Sequence, residues 1–266
     1  MFSVIIPLYN KQDSISSTLM SVIHQSFLDL EIIVVDDGST DDSLSQVKKI
    51  NDSRIRIISQ LNGGVSSARN CGIRSATYDW IALLDGDDLW KTNHLEHMND
   101  LIEKFPGKQV FSSSFVYSTN QSSDVLIVQN QKLVSNYFEE AFNEHFLWSS
   151  AIVFHRDCIN NVGGFNESLS RGEDLDLWAR IGRKYEIVRS NLVTAIYRLD
   201  AENRACTTKT DLNRSIVSII NFKGMCKDER KYFQKLIRSK ILNLLSDKDY
   251  RNAFYLVLRY NINLIY

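Results

Sequence analysis

The N-terminal third of the chain predicts an α/β fold with a parallel sheet, and three observations carry that prediction. Four short runs, Ser3 to Pro7 (SVIIP), Glu31 to Val35 (EIIVV), Arg54 to Ile58 (RIRII) and Trp80 to Leu84 (WIALL), read as strands, the second with the pattern of a buried strand. The segments between them carry apolar residues at helical spacing, as crossover helices require. Each run ends in polar residues: Tyr9-Asn10, Asp36-Asp37, Asn62, and the cluster Asp85 to Asp88. In such sheets ligands bind beyond the carboxyl ends of the strands, so these residues mark where a site belongs.

Asp13 or Ser14 is placed to cap a first helix, in which Ile15, Leu19, Val22 and Ile23 share a face. Ser39 or Thr40 is placed to cap a second, through Leu44, Val47 and Ile50. A third helix spans Val65 to Ser75 and a fourth Thr92 to Lys104. Strands are expected near Gln109 to Tyr117 and Ser149 to His155. A turn follows at Gly163-Gly164-Phe165, then a helix opened by Arg171-Gly172-Glu173-Asp174, with Leu177, Trp178 and Ile181 on one face. Tyr185 to Tyr197 reads as extended. From about Thr207, helical spacing of Ile216, Ile219 and Ile220, of Leu236, Ile237, Ile241, Leu244 and Leu245, and of Phe254 and Leu258 predicts a helical tail. The expected division is a body over 1–205 and a helical extension over 206–266.

The hydrophobic fraction of 44% and charged fraction of 24% suit a globular protein with a large core. The formal net charge of −1 argues against a general nucleic-acid binder, which would carry a basic excess. Cys71, Cys158, Cys206 and Cys226 are widely spaced with no CxxC pair, which fits isolated thiols of a reducing compartment rather than a disulfide framework or zinc site. No signal peptide is legible before Pro7, and no apolar run reaches the roughly 18 residues of a membrane span. The expected location is therefore the cytosol.

Asp85-Gly86-Asp87-Asp88 is the most informative segment. Three acids within four residues repel one another, and a bound divalent cation, Mg²⁺ or Mn²⁺, offsets that repulsion. A solvated acidic loop before the next helix is the competing reading. Asp36-Asp37-Gly38-Ser39 suits a plain turn, but its place at a strand end also permits hydrogen bonds to a base or ribose. Asn62-Gly63-Gly64 runs into a helix and can cradle phosphate through backbone N–H groups, although neither a Walker A nor a GxGxxG pattern is present. Arg69 on that helix either projects toward a diphosphate or is simply solvated. Glu173-Asp174 opens a helix, where acids ordinarily serve the helix dipole. The five His residues show no metal-ligand spacing and read as core or surface residues.

Taken together, these pieces resemble a family 2 glycosyltransferase with the GT-A fold. The resemblance rests on Val4 to Asn10, Val34 to Asp41, Asn62-Gly63-Gly64 with Ala68-Arg69-Asn70-Cys71-Gly72, the Asp85-Gly86-Asp87-Asp88 form of the family's DxD motif, and Gly163-Gly164-Phe165 with Gly172-Glu173-Asp174 and Trp178. It covers about the first two hundred residues and leaves out the tail. It implies that Pro7, Tyr9 and Asp37 hold the nucleotide base, commonly uracil, with Asn62 in the same donor site. It further implies that Arg69 lies near the nucleotide, that Asp85 binds ribose or supports the metal, and that Asp87 coordinates the divalent ion on the diphosphate. Asp174 would be the catalytic base, with Glu173 beside it. Where the family often has a His after a Tyr-Arg pair, this chain has Asp200 after Tyr197-Arg198-Leu199, and Asp200 is a candidate further metal ligand.

The implied activity is inverting, metal-dependent transfer of a sugar from a nucleotide-sugar to a hydroxyl of a glycan or lipid-linked acceptor in surface polysaccharide synthesis. The stretch between Tyr117 and Trp148 is expected to be a loop that lines the acceptor side. Lys227 to Phe233, with Lys235, Arg238 and Lys240, forms a basic, partly amphipathic stretch that can rest on an anionic membrane or face water. Two other classes remain open: a nucleotidyltransferase, although its basic Gly-rich first loop is missing, and a catalytically silent partner that keeps the fold.

Overall fold

The computed structural model describes residues 1–120, 130–204 and 211–262. Cys206, the 205/206 boundary, the start of the tail at Thr207 and part of the stretch from Tyr117 to Trp148 lie outside the described residues.

The chain begins β1 (Phe2–Leu8), α1 (Ile15–Ile23), β2 (Leu30–Asp36), α2 (Ser43–Lys48), β3 (Ile55–Ser59), α3 (Val65–Ser75), β4 (Trp80–Leu83), β5 (Leu89–Trp90) and α4 (His94–Lys104). It continues β6 (Val110–Tyr117), β7 (Gln131–Val134), α5 (Tyr137–Asn143), β8 (Ile152–His155), α6 (Arg156–Val162), α7 (Glu173–Gly182) and β9 (Ile187–Tyr197). The helices α8 (Lys227–Ser246) and α9 (Tyr250–Tyr260) follow.

One sheet runs β3-β2-β1-β4-β8-β6-β9-β5, with β7 also paired to β9. The first four strands are parallel, as their apolar runs predict. The sheet as a whole is mixed: β8 runs antiparallel to both β4 and β6, and β9 pairs parallel with β6 but antiparallel with β5 and β7. Strand residues alternate between two apolar cores, one on each face. Val4, Ile6, Leu8, Ile32 and Val34 pack with α1 and α4, while Ile5, Ile33, Val35, Ile81 and Leu83 pack with α3, α7 and the C-terminal helices. Both faces are covered, which is why the strands read as continuous apolar runs.

β2 and β4 lie on opposite sides of β1, so the strand order reverses there and leaves a crevice beyond the ends of β1 and β4. Pro7 is compatible with this central strand because of that ending. The Leu84 N–H donates to the Ile5 carbonyl at 3.0 Å, and by alternation Pro7 faces the same side, where β4 has already turned away. Its missing N–H therefore costs no ladder bond.

Three expectations need correction. The second helix starts at Ser43 rather than after Ser39 or Thr40. Ser39 Oγ accepts the Asn10 N–H at 3.2 Å and the Thr40 N–H donates to Asn10 Oδ1 at 2.8 Å, so the loop is tied to the end of β1 instead of capping a helix. Ile216, Ile219 and Ile220 lie in and after short 3-10 turns, Leu212–Arg214 and Ile216–Ser218, rather than in a helix. The stretch between Tyr117 and Trp148 includes β7 and α5, and Tyr137 and Phe138 of α5 are buried against Tyr232 and Phe233 of α8. Among the described residues no helix is long and apolar enough to cross a membrane.

Candidate active site

The acidic loop after β4 is shaped by close backbone approach. A Cβ on Gly86 would stand 2.9 Å from the Pro7 carbonyl oxygen, so only glycine lets the loop cross the end of β1 here. The Asp88 N–H closes the turn onto the Asp85 carbonyl at 3.1 Å. Asp88 is 1% exposed and points inward. Its carboxylate accepts from Ser150 Oγ (2.5 Å), Trp148 Nε1 (3.4 Å) and the Arg198 N–H (3.2 Å), which pins the loop to the start of β8 and the end of β9. Burial, together with the charges of Asp85 and Asp87, pushes the Asp88 carboxyl up to about 7.

Asp85 and Asp87 remain at the crevice. Asp87 pairs with Lys11 Nζ at 2.5 Å, and burial holds its carboxyl above the usual range against the pull of that ammonium. Lys11 Nζ also donates to the carbonyls of Glu202 (2.6 Å) and Asn203 (3.0 Å). The segment after β9 is thereby fastened to the loop after β1. Asn203 Nδ2 donates to the carbonyl of the exposed Tyr9 at 3.2 Å. The Glu202 carboxylate accepts from the N–H groups of Asp13 and Ser14 and from Ser14 Oγ, so it caps α1 where the Ser14 hydroxyl does not.

Arg69 is neither solvated nor free. It is 4% exposed, and its guanidinium reaches Asp85 Oδ1 at 2.6 Å and Glu173 Oε1 at 3.1 Å across the face of Phe165. Burial alone would lower its pKa, but the charges of Asp85 and Glu173 outweigh it and hold the guanidinium fully charged. Arg69 thus joins two acidic segments that lie far apart in sequence. Asp174 follows Glu173 in the first turn of α7 and feels both Arg69 and Asp85. Its carboxyl is raised by burial, against the opposing pull of Arg69, and the Glu173 carboxyl is raised by burial and by the Asp174 charge. Gly172 makes this entry possible, with φ of 76° and no room for a Cβ beside Ile216 Cγ2 at 2.6 Å.

Asn70, the next residue, holds the Gly163-Gly164-Phe165 turn. Its side chain accepts the Phe165 N–H (2.8 Å) and donates to the Phe165 carbonyl (2.9 Å). Arg180 of α7 completes the clamp through the carbonyls of Val162, Gly163 and Gly164. On the opposite side of the crevice, Asp37 accepts from the N–H groups of Gly63 (2.9 Å) and Gly64 (2.8 Å) and from Gln60 Nε2 (2.8 Å). Asn62 Nδ2 donates to the Asp37 carbonyl at 3.0 Å, so the loops after β2 and β3 are tied together.

The structure therefore gathers Arg69, Asp85, Asp87, Glu173 and Asp174 around one crevice, with Pro7 beneath the acidic loop. Asp200 is placed differently. Its side chain is 66% exposed and contacts Ser118 and Arg198. No individual role is legible in the sequence for Lys11, Asn70, Asp88, Ser150, Arg180 and Glu202. Asp88 carried a local signal as the last acid of its cluster, and Asn70 as part of the Ala68 to Gly72 motif; the others act through partners distant in sequence. His94 and His97 are core residues, bonded to Thr194 (2.7 Å) and Ser190 (2.9 Å).

In the acidic loop Asp87 already binds one cation, the Lys11 ammonium, and the carboxylate oxygens of Asp85 and Asp87 are hard donors of the kind that suit Mg²⁺ or Mn²⁺. Among the described residues no three His, Cys, Asp or Glu side chains form a closed cage.

The sequence matches the model of "Glycosyl transferase family 2" over residues 3–163. It is 30% identical over 259 residues to the UDP-Glc:alpha-D-GlcNAc-diphosphoundecaprenol beta-1,3-glucosyltransferase WfaP of Escherichia coli, covering 94% of this chain and 98% of that protein. It is 32% identical over 187 residues to chondroitin synthase of Escherichia coli, covering 67% of this chain but spanning about a quarter (26%) of that longer protein. Among solved structures it resembles S. aureus TarS 1–349 in complex with UDP-GlcNAc, with a TM-score of 0.68 at 19% identity, over 92% of this chain and 66% of the other.

Proposed function

The chain belongs to glycosyl transferase family 2, and from that premise we propose that it transfers a sugar from a UDP-sugar, with inversion, to a hydroxyl of a lipid-linked glycan. Arg69 carries this reading. By pairing with both Asp85 and Glu173 it brings the acidic loop and the start of α7 to one place, so donor and acceptor chemistry share a crevice. The UDP donor and the lipid-linked acceptor are supported by the names of the relatives, WfaP above all, which spans nearly the same length.

In this reading Asp87, backed by Asp85, holds a divalent cation, Mn²⁺ or Mg²⁺. When bound, that ion neutralises the charge developing on the leaving nucleoside diphosphate without a proton. Lys11, which pairs with Asp87 and with the carbonyls of Glu202 and Asn203, would share that carboxylate with the ion. The joined loops that carry Asp37 and Asn62, with Pro7 and Tyr9 at the end of β1, receive the nucleotide. Asp174 takes the proton of the acceptor hydroxyl, and its raised carboxyl makes it a stronger base than an ordinary Asp. Arg69 holds Glu173, which keeps the first turn of α7 facing the crevice. One displacement from the face opposite the leaving group inverts the anomeric centre. The body over 1–205 carries this chemistry, and the extension over 206–266 supports it. Asp200, on its exposed turn, is left outside the proposed cation site.

The test is incubation with UDP-sugars and Mn²⁺ or Mg²⁺, with the linkage of the product read by proton NMR. An α-linked donor should give a β-linked product that depends on the metal. An α-linked product would overturn the single displacement.

A further inference from the structure

The basic stretch singled out in the sequence does not use its apolar side on a membrane. Tyr232, Phe233, Ile237 and Ile241 of α8 are buried in the core, so the apolar side of that basic stretch is taken up by folding, and only beyond it does α8 expose Leu242 and Leu245. α9 behaves differently. Ala253 and Leu256 face inward, yet Tyr250, Phe254 and Leu258 are 63%, 63% and 65% exposed. These three stand at i, i+4 and i+8, one above another along a helix about 16 Å long. A helix facing water normally turns polar residues outward, so this large apolar stripe needs a partner.

The surrounding charge indicates which partner. Residues 227–262 carry nine Lys and Arg against four Asp and Glu, a net of +5, whereas the whole chain is −1 and the remainder is therefore −6. Three of the four acids are turned to internal tasks. Glu229 pairs with Arg183, Asp228 accepts from Asn136, and Asp249 caps α9. Lys231, Lys235, Arg238, Lys248 and Arg251 are exposed. A second copy docking through the same face would bring like charges together, whereas an anionic lipid surface would meet opposite ones.

We propose that the outward face of α9, Tyr250, Phe254 and Leu258 with Arg251 beside them, lies in the surface of an anionic lipid bilayer. Phe254 and Leu258 enter the acyl boundary, Tyr250 and Tyr255 sit at headgroup level, and the Lys and Arg heads stay among the phosphates. The inference deepens the reading of a lipid-linked acceptor and rests on it: the enzyme would be held at the surface where such an acceptor lies.

The test is flotation of the full chain with phosphatidylcholine vesicles, with and without phosphatidylglycerol, in the absence of donor and acceptor. The wild type should float with the anionic vesicles. The double substitution Phe254→Ser and Leu258→Ser should reduce that binding at least about tenfold, and Arg251→Glu should weaken it on anionic vesicles only. Thermal melting of each variant, and transfer to a water-soluble acceptor, should match the wild type, because these side chains lie outside the crevice. The proposal is overturned if the wild type stays unbound, if the double variant floats equally well, or if sedimentation shows a dimer that the double variant abolishes. Flotation without transfer from any donor would instead leave the surface standing and remove the catalytic reading.

Discussion

Arg69 has two carboxylates on its guanidinium and almost no contact with water, so its role is structural as well as electrostatic. Replacing it with Met would leave the Asp85 and Glu173 charges without their counter-ion, one of them buried. We predict a loss of about 3 kcal/mol in unfolding free energy, the low end for a broken buried pair because Asp85 is partly exposed. Denaturant unfolding would measure it, and a loss below about 0.5 kcal/mol would show the pairing to be incidental. In sequence, Arg69 reads either as a solvated helix residue or as one that projects toward a diphosphate, and neither reading shows its ion pairs. Its partners lie 16 and 104 residues away, and pairing over such distances leaves no local pattern. The acids themselves were legible, because a run of like charges after a buried strand needs an explanation wherever it occurs. Asp88 shows the limit of that argument: it belongs to the run but faces the core.

At the scale of elements, the strands were legible because β1, β2 and β4 are covered on both faces and so carry unbroken apolar runs. The start of α2 was not, since the Asn10 side chain captures the loop that Ser39 and Thr40 would otherwise have turned into a helix. The antiparallel entry of β8 was also hidden, because the second half of the chain has no regular alternation of strand and helix. The cap of α1 comes from Glu202, 188 residues away. Replacing Glu202 with Ala should cost about 1 kcal/mol, as loss of a helix cap does, and should loosen the segment that Lys11 holds over Asp87. Hydrogen exchange at the amides of Asp13 and Ser14 would report it directly. Unchanged protection there would mean that α1 is capped by other means.

The molecule as a whole concentrates buried acids at one end of its sheet, and pH should reveal the cost. Asp88 has a folded value of about 7, well above that of an exposed Asp, so the unfolded chain ionises first as pH rises. Its favourable contribution is complete below about pH 4 and is lost as pH rises through about 7. In metal-free protein, melting temperature should therefore fall between about pH 5 and about pH 8, and Asp88→Asn should flatten that fall. An equal slope in both proteins would place the cost elsewhere. The C-terminal helices take part in the same economy, since α8 packs Tyr232 on Tyr137 and both rings feel Asp174. The tail was legible as helix but not as a wall of this core, because helical spacing shows which face is apolar and not what covers it.

The central claim is that a base at the start of α7 serves a sugar donor held by the acidic loop, and the kinetics of Asp174→Asn test it most directly. The account predicts donor affinity equal to wild type by calorimetry, with kcat for transfer reduced on the order of 10²- to 10⁴-fold. Transfer at the wild-type rate by that variant would contradict it.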